Sequence, residues 1–424
     1  MSRSPTVIQV WLDADFVSDR ICVGTLHHER GQLRFSYHKD WLTHPVAFAL
    51  DPDLTLDKAP FFPRPDLGNF GVFLDSSPDR WGQVLMQRRE GLEAKHERRA
   101  PRTLYAWDFL LGVQDETRQG ALRFRQDVET AFLADEGLAA PPVANLRQLE
   151  AIAGELSAKK IDDLDKLRKW LAVLVAPGAS LGGARPKANF RDKDGSLWIA
   201  KFPARDDVRD IGAWEGLVHQ MAGRAGIEVP PARRLRLGSV FHTFCAQRFD
   251  RDGARRRFYC SAMTVLRKED GQPGSYLELA EFLQKNGAKG QIAQDLAQLF
   301  RRVVFNVAVG NRDDHFRNHG FILTRSGWRL APAFDMNPSI DKADHVLALD
   351  DSDHRPEIDT VLSTAPLYGL SAQAATTIAD EVSTVVGKWR ALAAKAGIAR
   401  AEIELMAGAF SAFDVNTKAA IRIN

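Results

Sequence analysis

The sequence predicts an α+β protein of two lobes, with a β-rich N-terminal part and an all-α C-terminal lobe. Three observations carry this expectation. Short apolar runs separated by polar turns fill residues 6–38. Helix-like and strand-like patterns alternate from about 147 to 270. After about 275 helical periodicity dominates, and residues 371–420 are Ala-rich and read as helical throughout.

Taken in order, Val7, Val10 and Leu12 lie in one apolar run, and Ile21-Cys22-Val23-Gly24 and Leu33-Arg34-Phe35 follow after polar turns. Pro and Asp crowd residues 45–66, which reads as an extended loop. Ser76-Ser77-Pro78-Asp79 before Arg80-Trp81 is a helix start. Ser77 is the expected cap, Pro78 fits the first turn, and Asp79 suits the positive end of the helix dipole. Trp81, Val84, Leu85 and Arg88 then share a face. Residues 133–145, with Gly137 and Pro141-Pro142, read as a linker. Residues 197–202 read as a strand ended by Pro203. Trp214, Leu217, Val218, Met221 and Ala225 mark an amphipathic helix stopped near Gly226 and Pro230. Residues 235–237 and 240–247 suggest a hairpin around Gly238-Ser239. Ile292, Leu296, Leu299, Phe300, Val303, Val304 and Val307 trace one long apolar face. Arg255-Arg256-Arg257 reads as a solvated hairpin tip, and the acidic stretch 341–353 as a surface loop.

Composition narrows the function. A chain of 424 residues can bury large cores and should form two or three domains. Its 57 basic and 55 acidic residues leave a net charge of +2, too balanced for a general nucleic-acid binder. No apolar run approaches the roughly 18 residues a membrane span needs. Met1-Ser2-Arg3-Ser4-Pro5 leads directly into a strand-like segment, so no signal peptide is expected. Cys22, Cys245 and Cys260 are scattered without metal-ligand spacing, which fits a reduced, cytoplasmic compartment.

The chemistry concentrates in Gly310-Asn311-Arg312-Asp313-Asp314-His315-Phe316-Arg317-Asn318, followed by Asp335 in Pro332-Ala333-Phe334-Asp335. An Asp, an Asn five residues on, and a later Asp is the arrangement kinases use. Asp313 would accept the proton of the attacking hydroxyl. Asn318 and Asp335 would hold Mg²⁺ against the ATP phosphates. Asp314 competes for the base role by proximity but sits four residues before Asn318. His315 would order the loop. His315 and His319 together could suggest zinc, but no second cluster completes such a site. Upstream, Ser180-Leu181-Gly182-Gly183-Ala184-Arg185-Pro186-Lys187 is a glycine-containing turn whose N–H groups could approach phosphate oxygens, with Lys187 adding positive charge. Lys201 closes a short strand 14 residues before Glu215, the order in which a kinase strand Lys pairs with a helix Glu. Each feature has a structural reading of its own: a Gly-Gly turn, a strand-end lysine, a solvated polar loop. Their order along the chain favours a two-lobed protein-kinase-like fold.

The residues also resemble a known family, the HipA-type serine/threonine kinase toxins of bacterial toxin–antitoxin systems. The resemblance rests on 76–82 (Ser-Ser-Pro-Asp-Arg-Trp-Gly), 111–113 through 120–124, 180–187, 199–203, Arg248-Phe249-Asp250-Arg251, 310–318 and Phe334-Asp335, in family order over about 70–340. It implies an N-terminal subdomain over 1–135, a nucleotide-binding region over 147–270, and a helical C-terminal lobe with the catalytic loop over 271–424. It implies Asp313 as base, Asn318 and Asp335 as Mg²⁺ ligands, and Lys201 on the ATP phosphates. Gln247, Arg248 and Phe249 would form an adenine-reading hinge, 180–187 the phosphate loop, and His315 and Phe334 further parts of the ATP site. Gln247 stands where a carboxylate is common, and Arg185-Pro186 is not the commonest loop pairing. The resemblance further implies autophosphorylation at Ser180 as an off-switch. It implies a translation component as substrate, notably an aminoacyl-tRNA synthetase. It also implies a HipB-like DNA-binding antitoxin as partner, with DNA met only through that partner and no membrane. A small-molecule kinase and a catalytically silent corepressor are the alternatives.

Overall fold

The computed structural model describes residues 6–134, 140–157 and 185–413. The chain divides into two compact units. The first comprises Met1–Arg205, Gln247–Asp270 and Gly320–Arg325; the second comprises Asp206–Ala246, Gly271–His319 and Ser326–Asn424. The α+β class expected from the sequence is the one found.

In the first unit, strands β1 (Val7–Leu12), β2 (Ile21–Glu29) and β3 (Gln32–Tyr37) form an antiparallel meander. Burial alternates strictly along β1 and β3, putting Ile8, Val10, Leu12, Leu33, Phe35 and Tyr37 on the core face. Gly24 of β2 lies opposite Tyr37, and a Cβ there would meet the Phe35 ring at 2.4 Å, so glycine lets that ring pack flat on the sheet. Short helix α1 (Gly71–Asp75) precedes helix α2 (Arg80–His96). The cap of α2 is Asp79, whose carboxylate accepts from the Gly82 N–H at 2.8 Å. Ser77, the expected cap, instead donates its hydroxyl to Phe73 O at 2.8 Å and finishes α1. On α2, Trp81 and Leu85 are buried as expected, whereas Val84 is exposed. Helix α3 (Ala106–Leu111) leads to β4 (Leu122–Arg125), which completes the sheet in the order β3-β2-β1-β4. Helix α4 (Leu146–Ser157) and the antiparallel pair β5 (Lys187–Arg191) and β6 (Leu197–Lys201) follow, with Lys187 paired to Lys201.

This unit is pinned by two buried aspartates among arginines. Asp250 accepts from Arg248 at 2.9 and 2.6 Å, from Arg251 at 2.7 Å and from the Gly120 N–H at 2.9 Å. Asp115 accepts from Arg123 at 3.0 Å and from Arg256 at 3.1 Å. Burial alone would push both carboxyls up; the guanidiniums around them hold both below their ordinary value. Arg256, expected at a solvated hairpin tip, is therefore buried, because its guanidinium also donates to Asp115 O at 2.7 Å.

In the second unit, helix α5 (Ile211–Arg224) is capped by Asp210 and buries Trp214, Leu217, Val218 and Met221. Strands β7 (Ala232–Leu235) and β8 (Thr243–Gln247) pair antiparallel, so the hairpin begins three residues earlier than the sequence suggested. Helix α6 (Tyr276–Asn286) carries a Ser275/Glu278 capping box. Helix α7 (Ile292–Val309) is the long apolar helix, and it buries Leu296, Leu299, Phe300, Val303, Val304 and Val307. The Ala-rich end is not one helical run. It breaks into Ala372–Val386, Trp389–Lys395, Arg400–Leu405 and a 3₁₀ segment Met406–Phe413, with Gly387 and Gly397 at the breaks. Among the described residues no helix is long and apolar enough to cross a membrane.

Asp250→Ala should destabilise the folded chain by about 3–5 kcal/mol, since it leaves buried guanidiniums without their counter-charge. Urea unfolding would measure this. A loss under about 1 kcal/mol would show that the aspartate does not organise the unit.

Candidate active site

The site in the second unit starts where α7 must stop. Gly310 caps the helix at φ +65°, and a Cβ there would meet Ala409 O at 2.4 Å. Both the left-handed backbone and the close approach require glycine. The chain then turns through Asn311 to His315 into a short 3₁₀ turn, Phe316–Asn318, with His315 as its N-terminal flanking residue. The Asn318 N–H donates to His315 O at 2.8 Å.

The two adjacent aspartates have opposite environments. Asp314 is buried, and its Oδ2 accepts from Tyr276 Oη at 2.6 Å, His319 Nε2 at 2.7 Å and Asn306 Nδ2 at 2.8 Å. Burial alone would raise its carboxyl, but His319 and Tyr276 outweigh that and hold it below its ordinary value. Burial, with the same carboxylate beside it, pushes the Tyr276 phenol well up. Asp313 points the other way. Its side chain is 62% exposed and pairs with the Lys342 ammonium. Of the two candidates for a base, only Asp313 is open to a substrate hydroxyl.

The Asp335 segment is fastened to this loop by asparagines. Asn306 Oδ1 accepts from Asn311 Nδ2 at 3.1 Å, Asn311 Oδ1 accepts from the Asn337 N–H at 3.3 Å, and Asn337 Nδ2 donates to Asp335 Oδ1 at 3.3 Å. The Ser339 N–H donates to Gly310 O at 2.9 Å and the Val346 N–H to Arg312 O at 3.1 Å. The stretch 341–353 is therefore anchored rather than a free surface loop, and it buries Leu347, Ala348 and Leu349. Asp335 itself has φ +57°, a left-handed conformation that is uncommon outside glycine and gathers at functional sites.

Asn318 Oδ1 and Asn337 Oδ1 are buried and accept no hydrogen bond. An orphaned amide oxygen on the loop that the asparagines tie to the Asp335 segment suits a hard cation. Mg²⁺ takes one or two protein oxygens and completes its shell with water and phosphate. Among the described residues no group of three His, Cys, Asp or Glu side chains could hold a metal ion.

The remaining expected residues fall elsewhere. Glu215 is buried on α5 of the second unit, and half-buried Phe334 precedes Asp335. Lys201, Arg185, Pro186, Lys187, Gln247, Arg248 and Phe249 belong to the first unit. Lys201 ends β6. Lys187 does not sit on a loop: it opens β5, fully buried, with its ammonium paired to the equally buried Asp79. Arg185 donates to Phe202 O at 3.0 Å. Arg248 commits its backbone N–H to Leu197 O at 2.9 Å and its guanidinium to Asp250, Asn189 and Thr117 O. Ser180, Leu181, Gly182, Gly183 and Ala184 lie outside the described residues. Sequence reading missed Tyr276, Asn306, Asn337 and Lys342, gave Asn311 no role, and weighed His319 only as a zinc ligand rather than as the partner of Asp314. Of those missed outright, Asn337, two residues after Asp335, stood closest to a recognised motif.

Family models complete the comparison. One for the HipA N-terminal domain matches residues 14–105, and one for the HipA-like C-terminal domain matches residues 179–389. The chain belongs to the HipA family. A Sinorhizobium fredii protein named "Putative kinase Y4mE" is 25% identical over 359 residues, covering 78% of this chain and 76% of that protein. A Haemophilus influenzae protein named "Putative kinase" is 26% identical over 181 residues, 37% of this chain and 52% of its own length. The HipA chain solved with HipB and operator DNA from Shewanella oneidensis MR-1 superimposes with a TM-score of 0.65 at 17% identity, covering 96% of this chain and 95% of that one. This HipA-family chain thus shares its kinase-like α+β fold.

Two outcomes follow for the scaffold. Asp314→Asn should cost about 1–3 kcal/mol in thermal or urea unfolding, because its amide N–H₂ group would face donors. Asp313→Ala should stay within about 0.5 kcal/mol of wild type, as surface substitutions do. Equal losses would erase the distinction drawn between them. Separately, burial pushes the His345 imidazole down to about 4. Its neutral form is favoured in the fold, so its contribution is present above the unfolded value near 6.5 and is lost as pH falls towards 4. His345→Gln should flatten the stability profile between those limits; an unchanged slope would contradict this.

Proposed function

We propose that this chain is an ATP- and Mg²⁺-dependent protein serine/threonine kinase and the toxin of a HipA/HipB-type toxin–antitoxin pair. The observation that carries the reading is the contrast between neighbours: an exposed Asp313 held at the tip of a loop whose rigidity comes from the buried Asp314. Family membership and the kinase names of the relatives support it. The HipB and operator DNA named with the Shewanella chain support a HipB-like antitoxin as partner, with DNA reached through it.

In this reading Asp313 takes the proton of the attacking serine or threonine hydroxyl. Asn318 Oδ1 and the Asp335 carboxylate hold Mg²⁺, which when bound neutralises charge developing on the transferred phosphoryl group. Lys201 binds ATP phosphates, Gln247, Arg248 and Phe249 form the hinge, and residues 180–187 the phosphate loop. Arg248 contributes through its carbonyl, since its N–H is committed to Leu197 O. Lys187, sealed against Asp79, fixes the start of β5 rather than offering a free ammonium. Lys342 must release Asp313 when the hydroxyl arrives. His315 orders the loop by accepting the Asn318 N–H. Glu215 supports the lysine as an ion-pair partner. The substrate is a translation component such as an aminoacyl-tRNA synthetase, and autophosphorylation at Ser180 silences the enzyme.

Turnover of ATP with candidate synthetases tests the assignment. Asp313→Ala should lose about 10²- to 10⁴-fold in rate while MgATP affinity, read by calorimetry, stays near wild type. Asn318→Ala and Asp335→Ala should weaken MgATP binding itself. Wild-type turnover in Asp313→Ala would overturn the base assignment. Turnover of sugars or antibiotics in place of proteins would convert the reading to a small-molecule kinase. Mass spectrometry after incubation with MgATP should find phosphate on the Ser180 peptide in wild type and none in Asp313→Ala.

A further inference from the structure

A second concave site lies within the second unit; none of the residues assigned above lines it, although Gly216 follows Glu215 on α5. It is a cavity of about 570 Å³ between α5 and the β7–β8 hairpin. Arg233, Arg234 and Arg236 of the hairpin line it, together with His219 and Gly216 of α5 and His242. The volume falls in the range of small-ligand pockets, yet its lining is cationic where such pockets are mostly apolar.

Several details show that the charge is placed, not scattered. Gly216 sits inside α5, where glycine costs about 1 kcal/mol relative to alanine. A Cβ there would meet Arg234 Cγ and Cδ at 2.4 Å, so the glycine is the bed on which the Arg234 stem lies. Arg234 Nη1 is buried and has no hydrogen-bond partner. Burial holds the Arg234 guanidinium below its ordinary value, only partly offset by Asp210. Asp210 is itself occupied: it caps α5 and accepts from the His242 N–H at 2.9 Å, and its Oδ2 lies 2.6 Å from His242 Nδ1. That contact fixes the ring and leaves Nε2 as the nitrogen not engaged by Asp210. His219 Nε2 lies 2.7 Å from Pro230 O, which orients the second ring. Among the described lining residues there is no carboxylate.

We propose that this cavity is an anion site for a small phosphorylated ligand carrying two or more phosphate charges, of the pyrophosphate class. Arginine suits such a group because its planar fork matches phosphate oxygens in pairs, and Arg234 keeps a buried N–H without a partner. A half-buried guanidinium with an unmet N–H gains from an anion of high charge. A concave site of about 570 Å³ is of a size to take a small molecule.

Calorimetric titration of the full chain with inorganic pyrophosphate, in the absence of Mg²⁺, tests the proposal. Wild type and Asp335→Ala should bind alike. Arg234→Leu should lose at least tenfold in affinity. Gly216→Ala, which displaces the Arg234 stem while improving helix propensity, should also lose affinity. Arg236→Ala, a change at an exposed residue that leaves the fold intact, should lose several-fold. No saturable binding by wild type, or binding unchanged in Arg234→Leu and Arg236→Ala, would overturn the site. Loss of binding in Asp335→Ala alone would assign the anion to the candidate active site and equally overturn it.

Discussion

A buried carboxylate must be given donors, and in this chain that requirement at Asp314 shapes the loop from Gly310 to His319. Three groups from different parts of the second unit converge on one oxygen: a phenol from the start of α6, an amide from α7 and an imidazole just past the 3₁₀ turn. Each partner is buried, so none can exchange its bond for water without loss. The loop between α7 and Gly320 therefore has few conformations open to it. Its exposed residue, Asp313, inherits that rigidity without sharing the burial. Catalysis by positioning needs this combination, a polar group held still yet reachable.

The asparagines extend the same constraint to Asp335. Asn306 serves both sides, donating to Asp314 through its amide nitrogen and accepting from Asn311 through its oxygen. Asn311 in turn receives the Asn337 N–H, and Asn337 bonds Asp335. A left-handed aspartate is costly unless its surroundings over-determine it, and this chain of amides does so. Two amide oxygens on these segments are left without donors. Under the proposed function a cation would meet them.

Much of this was legible in the sequence. The spacing of Asp313, Asn318 and Asp335 named the polar groups, and the long apolar face ending at Gly310 placed the loop after a helix. The sequence could not say which of Asp313 and Asp314 faces solvent, because that depends on Tyr276, 38 residues before Asp314, and on Asn306, whose place on the apolar helix before the loop gave no sign of a polar contact. Burial of Arg256 was illegible for the same reason: its partner, Asp115, is 141 residues away. Ser77 was misread as a cap because Ser and Asp both favour that position, and only the end of α1 decides between them. Lys187 was read as part of a loop because the ion pair with Asp79, 108 residues distant, leaves no local signal.

The most direct test of the account is a crystal structure of the chain with Mg²⁺ and a non-hydrolysable ATP analogue. The account predicts Asn318 Oδ1 and the Asp335 carboxylate on the metal, Asp313 facing the terminal phosphate, and Asp314 still bound by Tyr276, Asn306 and His319. A metal on Asp314 or His319, or an analogue whose phosphates lie away from Asp313, would contradict it.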